Sequence, residues 1–272
     1  MKTYTLDDLV YLMTRLRDPE RGCPWDVKQD WQSIVPHTLE EVYEVVEAIE
    51  NRDWSHVEEE LGDLLFHIIF YCQFAREEDR FSLESLIDKL VKKLLRRHPH
   101  VFPDGTFESW RDSGEISEEQ INQNWELIKL QEKPEVKKDE SALAGVPSTF
   151  PALQRAFKLQ KKAARVGFDW TEKKDVLGML RAEIEELEEA LDAGDSVAVE
   201  DELGDVFFTL VNLSRHLAID PESCLRQSAQ KFESRFRKME QIAQKSQKDL
   251  ANMSLSEQEQ LWQHAKQMLA EK

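Results

Sequence analysis

The chain has 272 residues, a formal net charge of −18 and a pI near 4.9, a field that repels polyanions and argues against a nucleic-acid polymer as partner. Its three cysteines, Cys23, Cys72 and Cys224, make neither a CxxC pair nor a disulfide framework. The N-terminus lacks a signal-peptide core and no run approaches about 18 apolar residues, so no membrane partner is expected and a cytoplasmic protein is.

Apolar residues recur at a period of 3.6 almost throughout, which predicts an all-α chain. Leu6, Leu9, Val10, Met13 and Leu16 mark a first amphipathic helix, closed by a loop from Asp18-Pro19 to Pro24-Trp25. Thr38 reads as the N-cap of the next helix, with Glu41 at the capping-box position, and Asn51-Arg52-Asp53 turns the chain. A helix from about Trp54 to Arg76 stops at Asp79-Arg80. Ser82 caps another, which ends at Arg97-His98-Pro99 because proline disfavours helix in the residue before it. His98 to Ser117, rich in proline, glycine and aromatics, reads as an ordered loop, and Ser117-Glu118-Glu119-Gln120 as a capping box for a helix to about Leu130.

Residues 131–150 turn to Lys, Glu, Ser and Pro and form the predicted linker between domains 1–130 and 151–272. The second half replays the plan. Ala152 to Ala164 is helical, Gly167-Phe168-Asp169-Trp170 stands where Gly22-Cys23-Pro24-Trp25-Asp26 stood, and Thr171 is read as the next cap. Ala193-Gly194-Asp195 is the turn, Ser196 to Leu217 a helix, Asp220-Pro221 the start of the next, and Ser254 to Ala270 the last. Two units of four to five helices are expected.

An acidic signature accompanies the repeat. Glu41, Glu44, Glu60 and Asp63 recur 142 residues on as Glu183, Glu186, Glu202 and Asp205, and Leu61-Gly62 as Leu203-Gly204. Carboxylates three apart share a helix face, so each half offers two acidic pairs on two helices. A single acidic face is usually solvated surface, but two copies set inside apolar runs are not explained that way. Oxygen-only ligands select hard cations, Mg²⁺ or Mn²⁺. The interior glycines cost about 1 kcal/mol each, and close helix approach or metal access would explain them. No GxxxxGK[ST] loop is present, and no histidine has glutamate three residues before it, which disfavours a P-loop enzyme and a di-iron bundle.

The phrases GCPWD, TLEEVYEVVEAI, EELGDLLF, RRHPHVF, VGFDW, ELGDVFFTLVNLSRHL and KFESRF, in this order, closely resemble the MazG family of nucleoside triphosphate pyrophosphohydrolases. The resemblance implies tandem duplicated helical bundles that hydrolyse nucleoside triphosphates between the α and β phosphates with Mg²⁺, as a homodimer and with a nucleotide-housekeeping role. It assigns catalysis and metal binding to Glu183, Glu186, Glu202 and Asp205, and further metal ligation to Glu41, Glu44, Glu60 and Asp63. For the triphosphate it points to Lys231 and Arg235, matched by Lys93 and Arg97. Trp262 and Lys266, matched by Trp125 and Lys129, complete the set, with Trp262 free to stack on any base.

The copies differ: Ala182 stands where the first has Glu40, and Asn212 where it has Phe70. An amide at 212 would ligate a metal or hold a water, which a phenyl ring cannot, so the second copy is expected to be the main catalyst. Two alternatives stay open, a non-catalytic helical metal- or nucleotide-binding regulator and a pyrophosphatase restricted to one nucleotide such as dUTP.

Overall fold

A computed structural model describes residues 3–111, 114, 117, 120–121, 124–125, 127–128 and 141–270. The chain divides into two compact units, Met1–Glu135 and Val136–Lys272. Among the described residues all regular structure is helical. The first unit contains α1 (Leu6–Leu16), α2 (Pro24–Lys28), α3 (Trp31–Asn51), α4 (Trp54–Glu77) and α5 (Leu83–Arg97). The second contains α6 (Ala152–Ala164), α7 (Lys173–Ala193), α8 (Ser196–His216), α9 (Pro221–Lys245) and α10 (Leu255–Ala270).

Local chemistry accounts for most boundaries. Thr5 and Asp8 exchange the two hydrogen bonds of a capping box at α1, as Ser82 and Ser85 do at α5. Arg52 and Gly194 end α3 and α7 in the left-handed conformation, so each acidic helix turns back on its partner through one residue of positive φ. Asp53 and Asp195 then cap α4 and α8, and α9 begins at Asp220-Pro221. Ser117 and Gln120 make both bonds of the expected capping box, and Gln120, Ile121, Asn124, Trp125, Leu127 and Ile128 are helical. The expected end of that helix at Leu130, with Lys129, lies outside the described residues.

Three local expectations are corrected. Asp30, not Thr38, caps α3, because its carboxylate accepts from the amides of Gln32 and Ser33 and starts the helix two turns earlier. Thr38 lies inside α3 and its hydroxyl donates to the Ile34 carbonyl at 3.0 Å. Thr171 does not cap α7, which starts after Glu172 with no side-chain cap bond. Pro24-Trp25, read as loop, opens the helical turn α2 with proline at its first positions.

The first unit has a conventional core of Met13, Ile34, Ile69, Phe70 and Phe74, sealed by Leu9, Val10, Trp31, Phe66, Tyr71 and Leu83. Gly22 closes the loop after α1, where a Cβ would lie 2.3 Å from the Leu16 carbonyl oxygen. In the second unit no described apolar residue larger than Met239 is buried, and Leu203, Phe207 and Leu210 of α8 are exposed. α7 and α8 pack chiefly on each other, as α3 and α4 do, so an acidic helical hairpin is the common frame of both units.

Candidate metal centre

The hairpin brings the predicted carboxylates together in both units. In the first, ligand oxygens of Glu41, Glu60 and Asp63 lie within 4.8 Å of one another, and in the second those of Glu183, Glu186 and Glu202 do. Glu44 and Asp205 complete the sets electrostatically. Burial, then the charges of Asp63, Glu44 and Glu60, push the Glu41 carboxyl above its ordinary value. Burial, then Asp205, Glu186 and Glu202, do the same to Glu183. Glu44 is raised by burial and by Glu60, and Glu202 by burial and by Glu186 and Asp205. Anions held this close resist ionising together, and a divalent cation removes that repulsion. The donor set, all oxygen and at least threefold, fits a hard cation in each unit.

Neither Lys93, Lys231 nor Arg235 is ion-paired with the carboxylates among the described residues. The Arg235 guanidinium lies over the Trp262 ring at 5.9 Å, and Phe232 packs on the same ring at 5.3 Å. Trp262 is therefore engaged by its own unit. Lys266 is exposed, Lys93 and Arg97 are half-buried, and Trp125 meets His98 edge to face at 5.2 Å.

Asn212 is buried, and its side-chain oxygen accepts from Arg215 Nε at 3.1 Å and Nη2 at 2.7 Å. The same guanidinium clamps Asp169, which also meets His216 Nε2 at 3.0 Å. Arg215 holds the Asp169 carboxyl below its ordinary value. Asn212 lies seven residues, about two helical turns, beyond Asp205. Its counterpart Phe70 faces an arginine as well, because Arg17 lies over the rings of Phe70 and Phe74 at 5.5 and 4.5 Å. Arg17 also bonds Glu77 and the Gln29 carbonyl. The Asn212/Phe70 exchange thus follows the way each unit anchors an arginine, by hydrogen bonds in one and by ring faces in the other.

Sequence reasoning passed over three histidines around the first centre. His56 Nε2 is 2.6 Å from Glu60 Oε1, and the sequence signal was its place four residues before Glu60. His67 is buried with Nδ1 unpartnered, and its ring lies 6.5 Å from that of His37. Burial, then His37, push the His67 imidazole below its ordinary value, against the opposing pull of Asp63. The interior glycines differ from expectation too. A Cβ on Gly62 or Gly204 would meet nothing within 4 Å, so no close helix approach within either unit requires them.

Duplicated all-α hairpins, each gathering acids from two helices, define a helical protein with two oxygen-lined candidate cation centres. Sequence comparison gives the family. The MazG nucleotide pyrophosphohydrolase domain matches residues 29–102 and again 171–239, the two acidic hairpins. A nucleoside triphosphate pyrophosphohydrolase of Escherichia coli K12 is 43% identical over 263 residues, covering 96% of this chain and 97% of its own. A nucleoside triphosphate pyrophosphohydrolase/pyrophosphatase MazG of Thermotoga maritima is 40% identical over 260 residues, covering 96% and 95%. The chain belongs to the MazG family of nucleotide pyrophosphohydrolases.

Proposed function

We propose that this chain hydrolyses nucleoside triphosphates between the α and β phosphates, releasing the monophosphate and pyrophosphate with Mg²⁺, or Mn²⁺ in its place, as cofactor. The observation that carries the reading is the convergence of carboxylates from two helices in both units of a MazG-family chain. Bound divalent metal supplies charge neutralisation at the phosphates and a water of lowered pKa. Glu183, Glu186 and Glu202, with Asp205 adding negative charge, would hold that metal. Water attacks the α-phosphorus and the bond from that phosphorus to the bridging oxygen breaks. Lys231 and Arg235 receive the charge that grows on the departing pyrophosphate. Trp262, under the Arg235 guanidinium, steadies that cation, and Lys266 one turn on adds charge. Asn212 supports this site indirectly, by anchoring Arg215 and the Asp169 loop. Lys93 and Arg97 take the Lys231 and Arg235 parts for the first unit, whose acidic set is Glu41, Glu44, Glu60 and Asp63.

A grip on the triphosphate reads no base edge, which fits broad base use and a housekeeping role in the cytoplasm. The reading includes a homodimer. Leu61, Leu65 and Ile68 form an exposed stripe on α4, and their counterparts Leu203, Phe207 and Leu210 form the same stripe on α8. Val35, Val42 and Ile49 on α3 match Leu177, Ile184 and Leu191 on α7, seven residues apart in each case. Each hairpin is thus half of a four-helix bundle, and a second copy of the chain supplies the other half. Sedimentation showing a stable monomer removes the dimer. Chromatography of the products tests the chemistry: AMP and pyrophosphate from ATP are expected, and ADP as primary product overturns the assignment.

A further inference from the structure

The two acidic hairpins share a backbone but not their supporting side chains. Asp53 accepts from the His56 amide at 3.2 Å, and Asp195 from the Ala198 amide at 3.2 Å, so residues 56 and 198 are held alike at the third position of their helices. One reaches further. His56 extends a turn along α4 and places Nε2 2.6 Å from Glu60 Oε1, whereas the methyl of Ala198 offers Glu202 nothing. A carboxylate only accepts, so the imidazole Nε2–H donates.

The two glutamates also differ in burial. Glu60 is 6% exposed, forms its tightest triad with Glu41 and Asp63, and has Glu44 against it as well. Glu202 is half-buried, forms its tightest triad with Glu183 and Glu186, and feels Asp205 as well. Each glutamate therefore sits among all the acids of its set, and the more buried of the two is the one that His56 holds. Only the first is tethered by an imidazole. His56 also offsets part of the negative field at Glu44.

We propose that His56 is a positioning residue of the first centre: it fixes Glu60 through one carboxylate oxygen, leaves the other for a divalent cation, and gives this unit the tighter metal site. The proposal rests on the reading of both acidic sets as metal centres. Outer-shell donors of this kind change metal affinity by about 10- to 100-fold, since a ligand already oriented loses less freedom on binding. The first unit fills before the second.

The test is a Mn²⁺ titration of the full chain, following the paramagnetic resonance signal of free ion. The wild-type chain is expected to show a tight and a weak class of site. The double substitution Glu183→Gln with Glu202→Gln should remove the weak class alone. Adding His56→Ala should weaken the tight class about 10- to 100-fold, and His56→Gln, whose amide also donates, should recover most of that loss. Ala198→His in the native chain should tighten the weak class. A tight class indifferent to His56→Ala overturns the proposal, as does a His56→Gln chain that is folded by circular dichroism yet as impaired as the alanine variant. Absence of any Mn²⁺ binding to the wild-type chain is a different failure, which removes the metal-centre reading and this inference with it.

Discussion

Glu183→Gln should make the metal-free chain more stable while spoiling its metal site. Ligand oxygens of Glu183, Glu186 and Glu202 lie within 4.8 Å of one another. Two unit charges at that separation repel by about 0.9 kcal/mol in water and about 3.5 kcal/mol at an effective dielectric of 20. Glu183 is half-buried, so solvent screening keeps each pair near the lower figure. Relieving two such pairs is worth about 2 kcal/mol, which raises the unfolding midpoint of the second unit by roughly 4–8 °C. Glutamine keeps the shape and helix propensity of glutamate, so charge is the main variable. The assay is differential scanning calorimetry at pH 8 in low salt, with EDTA and then with Mg²⁺. In EDTA the variant should melt higher than wild type. With Mg²⁺ the order should reverse or close, because cation binding stabilises only an intact site. A variant that melts lower in EDTA, or gains as much from Mg²⁺ as wild type, refutes the argument that this acidic set carries unrelieved repulsion.

For turnover, Glu202→Gln or Asp205→Asn should reduce kcat by orders of magnitude, and Glu60→Gln or Asp63→Asn should cost less; saturating Mg²⁺ kinetics with all four single variants decides it, and dead first-unit variants beside near-normal second-unit ones reverse the assignment. Glu41, Glu44, Glu183 and Glu202 have raised carboxyl pKa values, so the folded metal-free chain binds their protons more tightly than the unfolded chain does. Their contribution to stability is therefore lost as pH climbs from the ordinary value of 4.5 through the raised folded values, and protons compete with metal in the same window, so Mn²⁺ affinity should fall as pH drops through those raised values toward 4.5. Asp169 runs the other way. Its lowered pKa gives stability that is present above the ordinary value of 3.8 and lost as pH falls through the folded value, and Asp169→Asn should flatten that acid limb of the melting profile. Gly22→Ala should cost more than about 2 kcal/mol, since the new methyl would sit 2.5 Å from the Asp18 carbonyl oxygen and 2.3 Å from that of Leu16; a melting curve unchanged in the first unit would contradict it.

Mg²⁺ and Ca²⁺ should separate cleanly in the product assay. Ca²⁺ accepts looser geometry and longer bonds, so it should occupy the centres yet support pyrophosphate release poorly. EDTA should abolish release altogether.

The sequence alone determined that the chain is helical, that it is duplicated, and which carboxylates are within reach of one another. Helical periodicity and the 142-residue repeat are local quantities, and Glu41, Glu44, Glu60 and Asp63 fall on facing helices because only one short turn, Asn51-Arg52-Asp53, separates them. Helix starts were less legible. Asp30 and Thr38 both suit an N-cap, and the choice fell to Asp30 because Ile34, in the first turns it opens, is buried in the Met13–Phe74 core. The partner of Asn212 was within reach of a spacing rule, since Arg215 lies three residues on along the same helix face. What the sequence did not give is that the same guanidinium also clamps Asp169, 46 residues away along the chain. His56 lay in plain view at four residues from Glu60, but whether an exposed imidazole touches a carboxylate is settled by helix-start rotamers and neighbouring charge. Which carboxylates form each triad, and what supports them, depended on contacts between residues distant along the chain; only the packed tertiary structure decides those contacts, since hydrogen bonds and charge repulsion act through space rather than along sequence.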